Sequence, residues 1–389
     1  MSERKVKIGV VGLGNMGSGH MMWCSEIPTI ELAACCDIVQ EKAEKFGKQH
    51  NIPYFTDAEE MMKSGLIEAI VIAVPHYDHT TITVKAFSYG LHVLTEKPIA
   101  VHKNDALKMI KAHEEHPDKI FAAMFQQRLS SVYRKLRELI QRGEFGEIQR
   151  INWIVTTWFR SQTYYDSGTW RATWKGEGGG VLLNQCPHHI DLFQWLFGMP
   201  SKVRANCAIG KYHKIEVEDE VTAFFEYPDG KTAVFITSTG EAPGTNRLEI
   251  TCQRGRVVLE DEKIKFLRNE MPTAEFLVTT DTMFGVPPVW SIDVPVPANP
   301  EGPFHKQVLT NFADAILNGT PLVANGEEGL HSVELANAML YSSMNNVDTP
   351  IPLDGDAYEK MLQDLIEKST FRKNDEKTGS LNMAASFGK

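Results

Sequence analysis

A chain of 389 residues exceeds the ~100–200 residues of a typical domain, so two domains are expected, each large enough to bury a core. Hydrophobic residues at 42% and charged residues at 23% are ordinary for a globular protein, and the apolar runs are strand-sized rather than the ~20 residues of a membrane span, so no membrane partner is expected. The formal net charge is -10 and no Lys/Arg cluster interrupts the chain, which argues against nucleic acid as a partner.

The N-terminus passes from MSERK directly into KVKIGVV, with no long apolar stretch or small-residue cleavage site, so no secretory targeting is read from it. Cys24, Cys35, Cys36, Cys186, Cys207 and Cys252 show no CxxC spacing, and buried reduced thiols in a cytoplasmic protein are expected.

Residues 5–11 form a β-branched, nearly continuous apolar run, the pattern of a parallel strand covered on both faces. A glycine-rich turn follows. The theme then repeats: IELAACCD and the charged helix EKAEKFGKQH, IEAIVIAVP and the helix TTITVKAFSYG, LHVLTEKP, and KIFAAMF at 119–125. Strand and helix alternate, predicting an α/β protein whose residues 1–125 form an N-terminal Rossmann domain with a doubly wound parallel sheet.

Beyond residue 125 the pattern changes. A helix (SSVYRKLRELIQRG) precedes EIQRINWIVTTWF, EVTAFFEYPDGKTAVFITST and RLEITCQRGRVVLED, with PDG and RG as turn signals. Helical periodicity returns at 304–317 and 326–344. Residues 126–355 are therefore expected to form an α+β substrate and oligomerisation domain with a mostly antiparallel open sheet, its helices covering one sheet face. Residues 356–389 read as a C-terminal helix and frayed tail.

Directly after the first strand stands Gly12-Leu13-Gly14-Asn15-Met16-Gly17, a GxGxxG in the strand-to-helix context that gives it meaning. Gly12 suits a tight turn, Gly14 backbone approach to a pyrophosphate, and Gly17 close helix packing, while Asn15 and Met16 open a helix whose free N–H groups face an anion. Asp37 lies 20 positions beyond Gly17, where a carboxylate accepts from ribose hydroxyls and repels a 2′-phosphate. NAD is the expected cofactor, with FAD or a nucleotide-sugar as the competing ligand.

Ligands of doubly wound sheets bind beyond the carboxyl ends of the strands. Two polar clusters fall there: Val74-Pro75-His76-Tyr77-Asp78-His79 and Thr95-Glu96-Lys97-Pro98. Pro75, His76, His79, Glu96 and Lys97 are thus placed on the nicotinamide side, with His76 and His79 alternatively just ending a strand. No ligand set accompanies the two histidines, so no metal is expected.

Through GVVGLGNMGSGH, TEKPIA at 95–100 and GGGVLLNQCPHHIDLFQWLFG at 178–198, the chain resembles the Gfo/Idh/MocA oxidoreductases over nearly its whole length. The resemblance implies a Rossmann domain followed by an open-sheet domain that commonly mediates oligomerisation, here a homo-oligomer, dimer or tetramer. It puts the family's EKP lysine on Lys97 and its histidine on His188. Many members carry aspartate where this chain has Asn184; an amide cannot ionise, so Asn184 is read as a binder rather than a base. Neighbouring residues of HHIDLFQWL point about 100° apart, so one of His188 and His189 faces the cleft; His188 is taken as general base, with His189 on the substrate side. Lys97 would hydrogen-bond the reacting oxygen, an exchange of these roles remaining open.

Five tryptophans, Trp153, Trp158, Trp170, Trp174 and Trp195, fall between residues 153 and 195 around the His188 segment, and flat rings beside polar groups suit a sugar. About two of the five are expected to touch ligand. Trp170, Arg171 and Trp174 are the favoured substrate contacts; Arg128, at the domain junction, and Tyr133 are lower-ranked candidates, with a structural role the equal alternative for both. The resemblance implies a small carbohydrate substrate: a polyol, sugar, sugar phosphate or glycoside, with C3 of a glucose-like ring one position of oxidation. Two other readings are open: an NAD-dependent glycosidase working by oxidation and elimination, and a non-catalytic cofactor-sensing regulator.

Overall fold

The computed structural model describes residues 4–372; the tail expected at the extreme C-terminus lies largely outside them. The first half alternates strand and helix: β1 (Val6–Val11), α1 (Asn15–Glu26), β2 (Ile30–Cys36), α2 (Gln40–His50), β3 (Tyr54–Phe55), α3 (Ala58–Lys63), β4 (Ala69–Ile72), α4 (His76–Ser88), β5 (His92–Thr95), α5 (Lys103–Glu114) and β6 (Phe121–Ala123). The strands pair in the parallel order β3-β2-β1-β4-β5-β6. Order reverses beside β1, so the crevice beyond the carboxyl ends of β1 and β4 is the ligand position such a sheet provides. The run AIVI of β4 is buried throughout, as a strand with helices on both faces requires.

The second half comprises α6 (Ser131–Gln141), β7 (Ile148–Val155), α7 (Gln162–Asp166), α8 (Pro187–Phe197), β8 (Lys202–Ile209), β9 (Glu218–Glu226), β10 (Thr232–Ser238), β11 (Asn246–Cys252), β12 (Gly255–Glu260), β13 (Lys263–Asn269), α9 (Thr273–Thr279), β14 (Val289–Val294), α10 (Phe304–Asn318), α11 (Gly329–Asn345), β15 (Thr349–Pro350) and α12 (Gly355–Lys368). Nine strands form one sheet, β14-β13-β12-β11-β7-β10-β9-β8-β15, antiparallel except for the parallel pair β7 and β10 at its centre. Adjacent hairpins give the antiparallel pairs, whereas β7 reaches β10 only after the crossover that carries α7 and α8.

Period-two burial along β9 and β10 sends Val221, Ala223, Phe225, Ala233 and Phe235 inward and leaves Thr222 and Phe224 outward. The inner face packs on α8 through Phe193, whose ring lies 5.2 Å from that of Phe225 and 5.8 Å from that of Phe235. All of α8 but Trp195 is buried, which makes it a rigid platform. Pro187 at its first position needs no hydrogen-bond partner for nitrogen there.

One helix departs from the expected layering. The segment expected at 304–317 to cover the second sheet instead packs as α10 on the first domain, its Val308, Leu309, Phe312 and Ala313 sharing a core with Val6, Ile8, Met21 and Trp23. Periodicity identifies an apolar face but not the sheet that receives it. α12 likewise returns to the first domain, where Asn104 of α5 donates to Asp356 and Glu359.

Candidate active site

The turn after β1 has the shape an extended anion requires. Gly12 has φ +85, and a Cβ there would stand 2.5 Å from the Ala73 carbonyl oxygen. A Cβ on Gly17 would stand 1.7 Å from the Gly12 carbonyl oxygen, so only glycine lets α1 begin this close to the turn. At Gly14 nothing lies within 4 Å, leaving open space above the start of α1. No side chain caps that helix end, so the N–H groups of its first turn, beginning at Asn15 and Met16, point to that space. Asp37, at the end of β2, accepts from Leu13 N at 2.8 Å and Val39 N at 2.9 Å and is held against the glycine turn. The residues present fit a dinucleotide.

Around the ends of β4, β5 and β6 the two domains meet. Lys97 follows β5, and its Nζ donates to the Asn184 carbonyl oxygen at 2.8 Å. Burial lowers the Lys97 ammonium below its ordinary range; the Glu96 and Glu177 carboxylates oppose this and the Arg171 and Arg160 charges add to it. His188, second residue of α8, lies with Nε2 3.1 Å from Gln126 Nε2, and its Nδ1 is buried without a partner. Burial, then the nearby Lys97 charge, holds His188 well below the usual histidine range, so the ring is neutral at pH 7. Lys97 and His188 thus sit near enough to influence one another, one from each domain.

The wall beside Lys97 is built by the segment between β7 and α8. Tyr164 Oη donates to Asn184 Oδ1 at 3.3 Å and accepts from Arg171 at 2.9 Å and Gln185 at 3.2 Å. Asn184 Nδ2 donates to Glu177, whose other oxygen accepts from Ala172 N at 2.6 Å. Trp170 meets the His76 ring edge-on at 5.6 Å. Pro75 precedes α4, and His76 is its first helical residue, with Nδ1 3.2 Å from the Glu177 carbonyl oxygen.

Several expected contacts lie elsewhere. His189 is set between Trp153 and Trp158, with ring centroids at 5.7 and 5.5 Å, because the turn of α8 that brings His188 to Gln126 sends its neighbour to the core. Trp174 is 5% exposed within the large core; only its backbone is used, accepting from Tyr77 Oη and donating to Glu216. Arg128 is consumed by Asp191, at 2.8 and 2.6 Å, and by Glu328, leaving it structural. Tyr133 is buried, its hydroxyl accepting from Asn246.

On the first domain, both ring nitrogens of His79 lie against carbonyl oxygens, of Pro98 at 2.8 Å and Val74 at 2.9 Å, so it ties two strand ends together. Glu96 stands behind Lys97, its Oε1 2.7 Å from His20 Nε2 and its Oε2 accepting from Lys97 N. Of the five tryptophans only Trp170 and Trp195 are not buried, and Trp195 lies under the Arg137 guanidinium at 4.1 Å. Sequence reasoning missed His20, Gln126, Tyr164 and Glu177. Gln126 had a signal, a polar residue just past the end of β6; Tyr164 had none. Among the described residues no group of three or more His, Cys, Asp or Glu is placed to hold a metal ion.

Comparison with known proteins agrees with this architecture. Residues 6–124 match the oxidoreductase family with NAD-binding Rossmann fold, and residues 133–258 match the GFO/IDH/MocA C-terminal domain. An oxidoreductase of Formosa agariphila is 28% identical over 229 residues, 56% of this chain and 69% of that protein. An inositol 2-dehydrogenase of Leifsonia xyli is 26% identical over 198 residues, 50% of this chain and 54% of that protein. The WlbA dehydrogenase of Bordetella pertussis, solved in complex with NADH and UDP-GlcNAcA, superposes with a TM-score of 0.76 at 25% identity, covering 90% of this chain and 100% of that one. The chain belongs to the GFO/IDH/MocA family of NAD-dependent oxidoreductases, with its cofactor domain at residues 6–124.

Proposed function

We propose that this enzyme oxidises a secondary hydroxyl of a sugar, glycoside or polyol, C3 of a glucose-like ring being one such position, with Lys97 and His188 as its catalytic residues. The observation that carries the reading is that Lys97 and His188, from different domains, lie within electrostatic range of one another at the carboxyl ends of the Rossmann strands, Lys97 on Asn184 and His188 on Gln126. NAD, when bound, supplies the hydride acceptor. Gly12, Gly14, Gly17, Asn15, Met16 and Asp37 would hold its adenosine and pyrophosphate portion, with Pro75 and His76 nearer the reacting end.

Lys97 uses one of its three N–H groups on Asn184 and has two left for the substrate oxygen, where a cation favours developing negative charge. His188 is neutral, and its Nε2, the acceptor nitrogen that faces the Gln126 amide, carries the lone pair we assign to take the hydroxyl proton. Asn184, Tyr164, Trp170 and Arg171 line the substrate side. A sugar or polyol is supported by the relatives: one acts on inositol, and another was solved with a nucleotide sugar.

We also propose a homo-oligomer in the cytoplasm. The outward Phe224 and the segment after α9, where Met283 is 93% and Phe284 96% exposed, offer apolar surface to a second copy. The six cysteines are all free and buried, as suits a reducing compartment.

Incubation with NAD and a panel of polyols, free sugars and glycosides, following NADH absorbance and product identity, tests the activity. NADH together with an oxidised product is expected. Aglycone release without NADH would replace this reading by the oxidation–elimination glycosidase, and silence from a protein that binds NAD would favour a cofactor-sensing regulator.

A further inference from the structure

We infer that the substrate carries a negative charge, a carboxylate or a phosphate, and that Arg171 is the residue that grips it. The inference rests on the reading that this cleft oxidises a sugar-like alcohol, and it narrows the substrate to an acidic sugar.

Arg171 is half-buried in the cleft wall. Its guanidinium carbon lies 4.5 Å from the ring centroid of Trp170 and 4.8 Å from that of Tyr164, and one of its terminal nitrogens donates to the Tyr164 hydroxyl at 2.9 Å. These contacts fix the position of the guanidinium without neutralising it. Among the described residues Arg171 forms no ion pair, in contrast to Arg128, which is matched by Asp191 and Glu328. The buried carboxylate of the same loop, Glu177, is already taken by Asn184 Nδ2 and Ala172 N.

A guanidinium drawn partly out of water loses solvation, and a carboxylate normally compensates. Here no carboxylate of the described residues pairs with the guanidinium, while the planar fork that matches carboxylate or phosphate geometry is held by aromatic contacts. The place is that of a substrate group. Arg171 acts electrostatically on both Lys97 and His76, so a ligand reaching Lys97 with its hydroxyl passes within range of this charge. The cofactor's own phosphates have a separate cradle at Gly14 and the start of α1.

The test is calorimetric binding to the NADH-loaded protein, which reads recognition without turnover. Glucose, galactose and myo-inositol are compared with glucuronate, galacturonate and glucose 6-phosphate. At least one acidic ligand is expected to bind about tenfold or more tighter than its neutral counterpart, with the advantage shrinking as salt rises. Uronates against the phosphate ester distinguish the two sources of charge. Arg171→Gln should abolish most of that advantage while changing affinity for the neutral sugars much less, and Arg171→Lys should restore part of it.

Equal binding of neutral and acidic ligands by the unaltered protein, or equal weakening of both by Arg171→Gln, would overturn the inference and leave the sugar oxidoreductase standing. Binding of no carbohydrate, with no NADH formed across the activity panel, would remove the sugar reading first and this inference with it.

Discussion

The Lys97 ammonium donates to the backbone carbonyl of Asn184 at 2.8 Å, so the cation that the Rossmann domain sends into the cleft is held by main chain of the second domain. The amide side chain of Asn184 is engaged separately, with Tyr164 and Glu177. Substitutions at the two positions should therefore separate. Lys97→Ala removes the cation and should lower kcat by roughly 10²–10⁴-fold with NAD affinity retained. Asn184→Ala leaves the acceptor of Lys97 in place, and a much smaller loss in kcat with a rise in KM is expected; steady-state kinetics with NAD titration checks both.

The pH dependence of kcat/KM follows from the same two groups. His188 must be neutral to take a proton, and because burial holds it well below 6.5 the acid limb should lie below that pH. Lys97 must be protonated to act as a donor. Burial lowers it from 10.5, so activity should fall as pH rises through a value below 10.5. The expected profile is a bell, and His188→Asn should erase its acid limb along with most of the rate. An acid limb that persists in His188→Asn would assign the base elsewhere.

The glycine turn gives a sharper contrast. Gly17→Ala places a methyl 1.7 Å from the Gly12 carbonyl oxygen, which α1 must move to relieve, so both thermal stability and NAD binding should suffer. Gly14→Ala meets nothing within 4 Å in the protein, so the fold should keep its Tm. The same methyl intrudes where the pyrophosphate approaches, and NAD affinity should fall by roughly tenfold, about 1.4 kcal/mol. Thermal melts paired with NAD titration distinguish the two cases.

Arg128 marks the border between binding and scaffold. It is 3% exposed and paired with Asp191, itself 1% exposed, so Arg128→Met leaves a buried carboxylate without its cation. A loss of roughly 3–5 kcal/mol in unfolding free energy is expected, seen in denaturant melts. KM in the surviving folded fraction should change little, opposite to the signature of a substrate contact.

These contrasts show what the sequence carried and what it hid. Gly12, Gly14, Gly17 and Asp37 were legible because their chemistry depends on local spacing along one strand-turn-helix unit. The position of Lys97 past the end of a buried parallel strand was legible from the strand pattern, while its assigned role came from the resemblance carried by TEKPIA. Arg128, His189 and Trp174 looked alike as polar or aromatic residues near a motif, but their placement is decided by remote partners: Asp191 and Glu328 lie 63 and 200 positions from Arg128. The same limit hid α10, whose apolar face shares a core with β1 rather than with the second sheet, and Glu177, whose partners are set by the turn into α8. No period in the sequence encodes which surface an element meets.

The pair formed by His20 and Glu96 lies behind Lys97 and makes acid the vulnerable side of the protein. Burial alone would raise the Glu96 carboxyl, but the hydrogen bond and charge of His20, aided by His305 and Lys97, outweigh it and hold the group down to about 2. A carboxyl depressed from 4.5 contributes stability that is present above 4.5 and lost as pH falls toward 2. The buried histidines act with the same sign. His189 is lowered by burial from 6.5 to about 3 and His305 to about 4, so their contribution is full above 6.5 and drains away below it. Glu218 runs the other way, raised by burial to about 7, so its contribution is present below 4.5 and lost as pH rises through 7. Unfolding free energy measured in denaturant is therefore expected to decline below pH 6.5 and to steepen below 4.5. His20→Ala strips Glu96 of its hydrogen-bond partner and should cost roughly 1–3 kcal/mol at pH 7, and the slope assigned to Glu96 below pH 4.5 should flatten in that variant. A variant that melts like the parent at both pH values would mean the pair does not hold this end of the sheet.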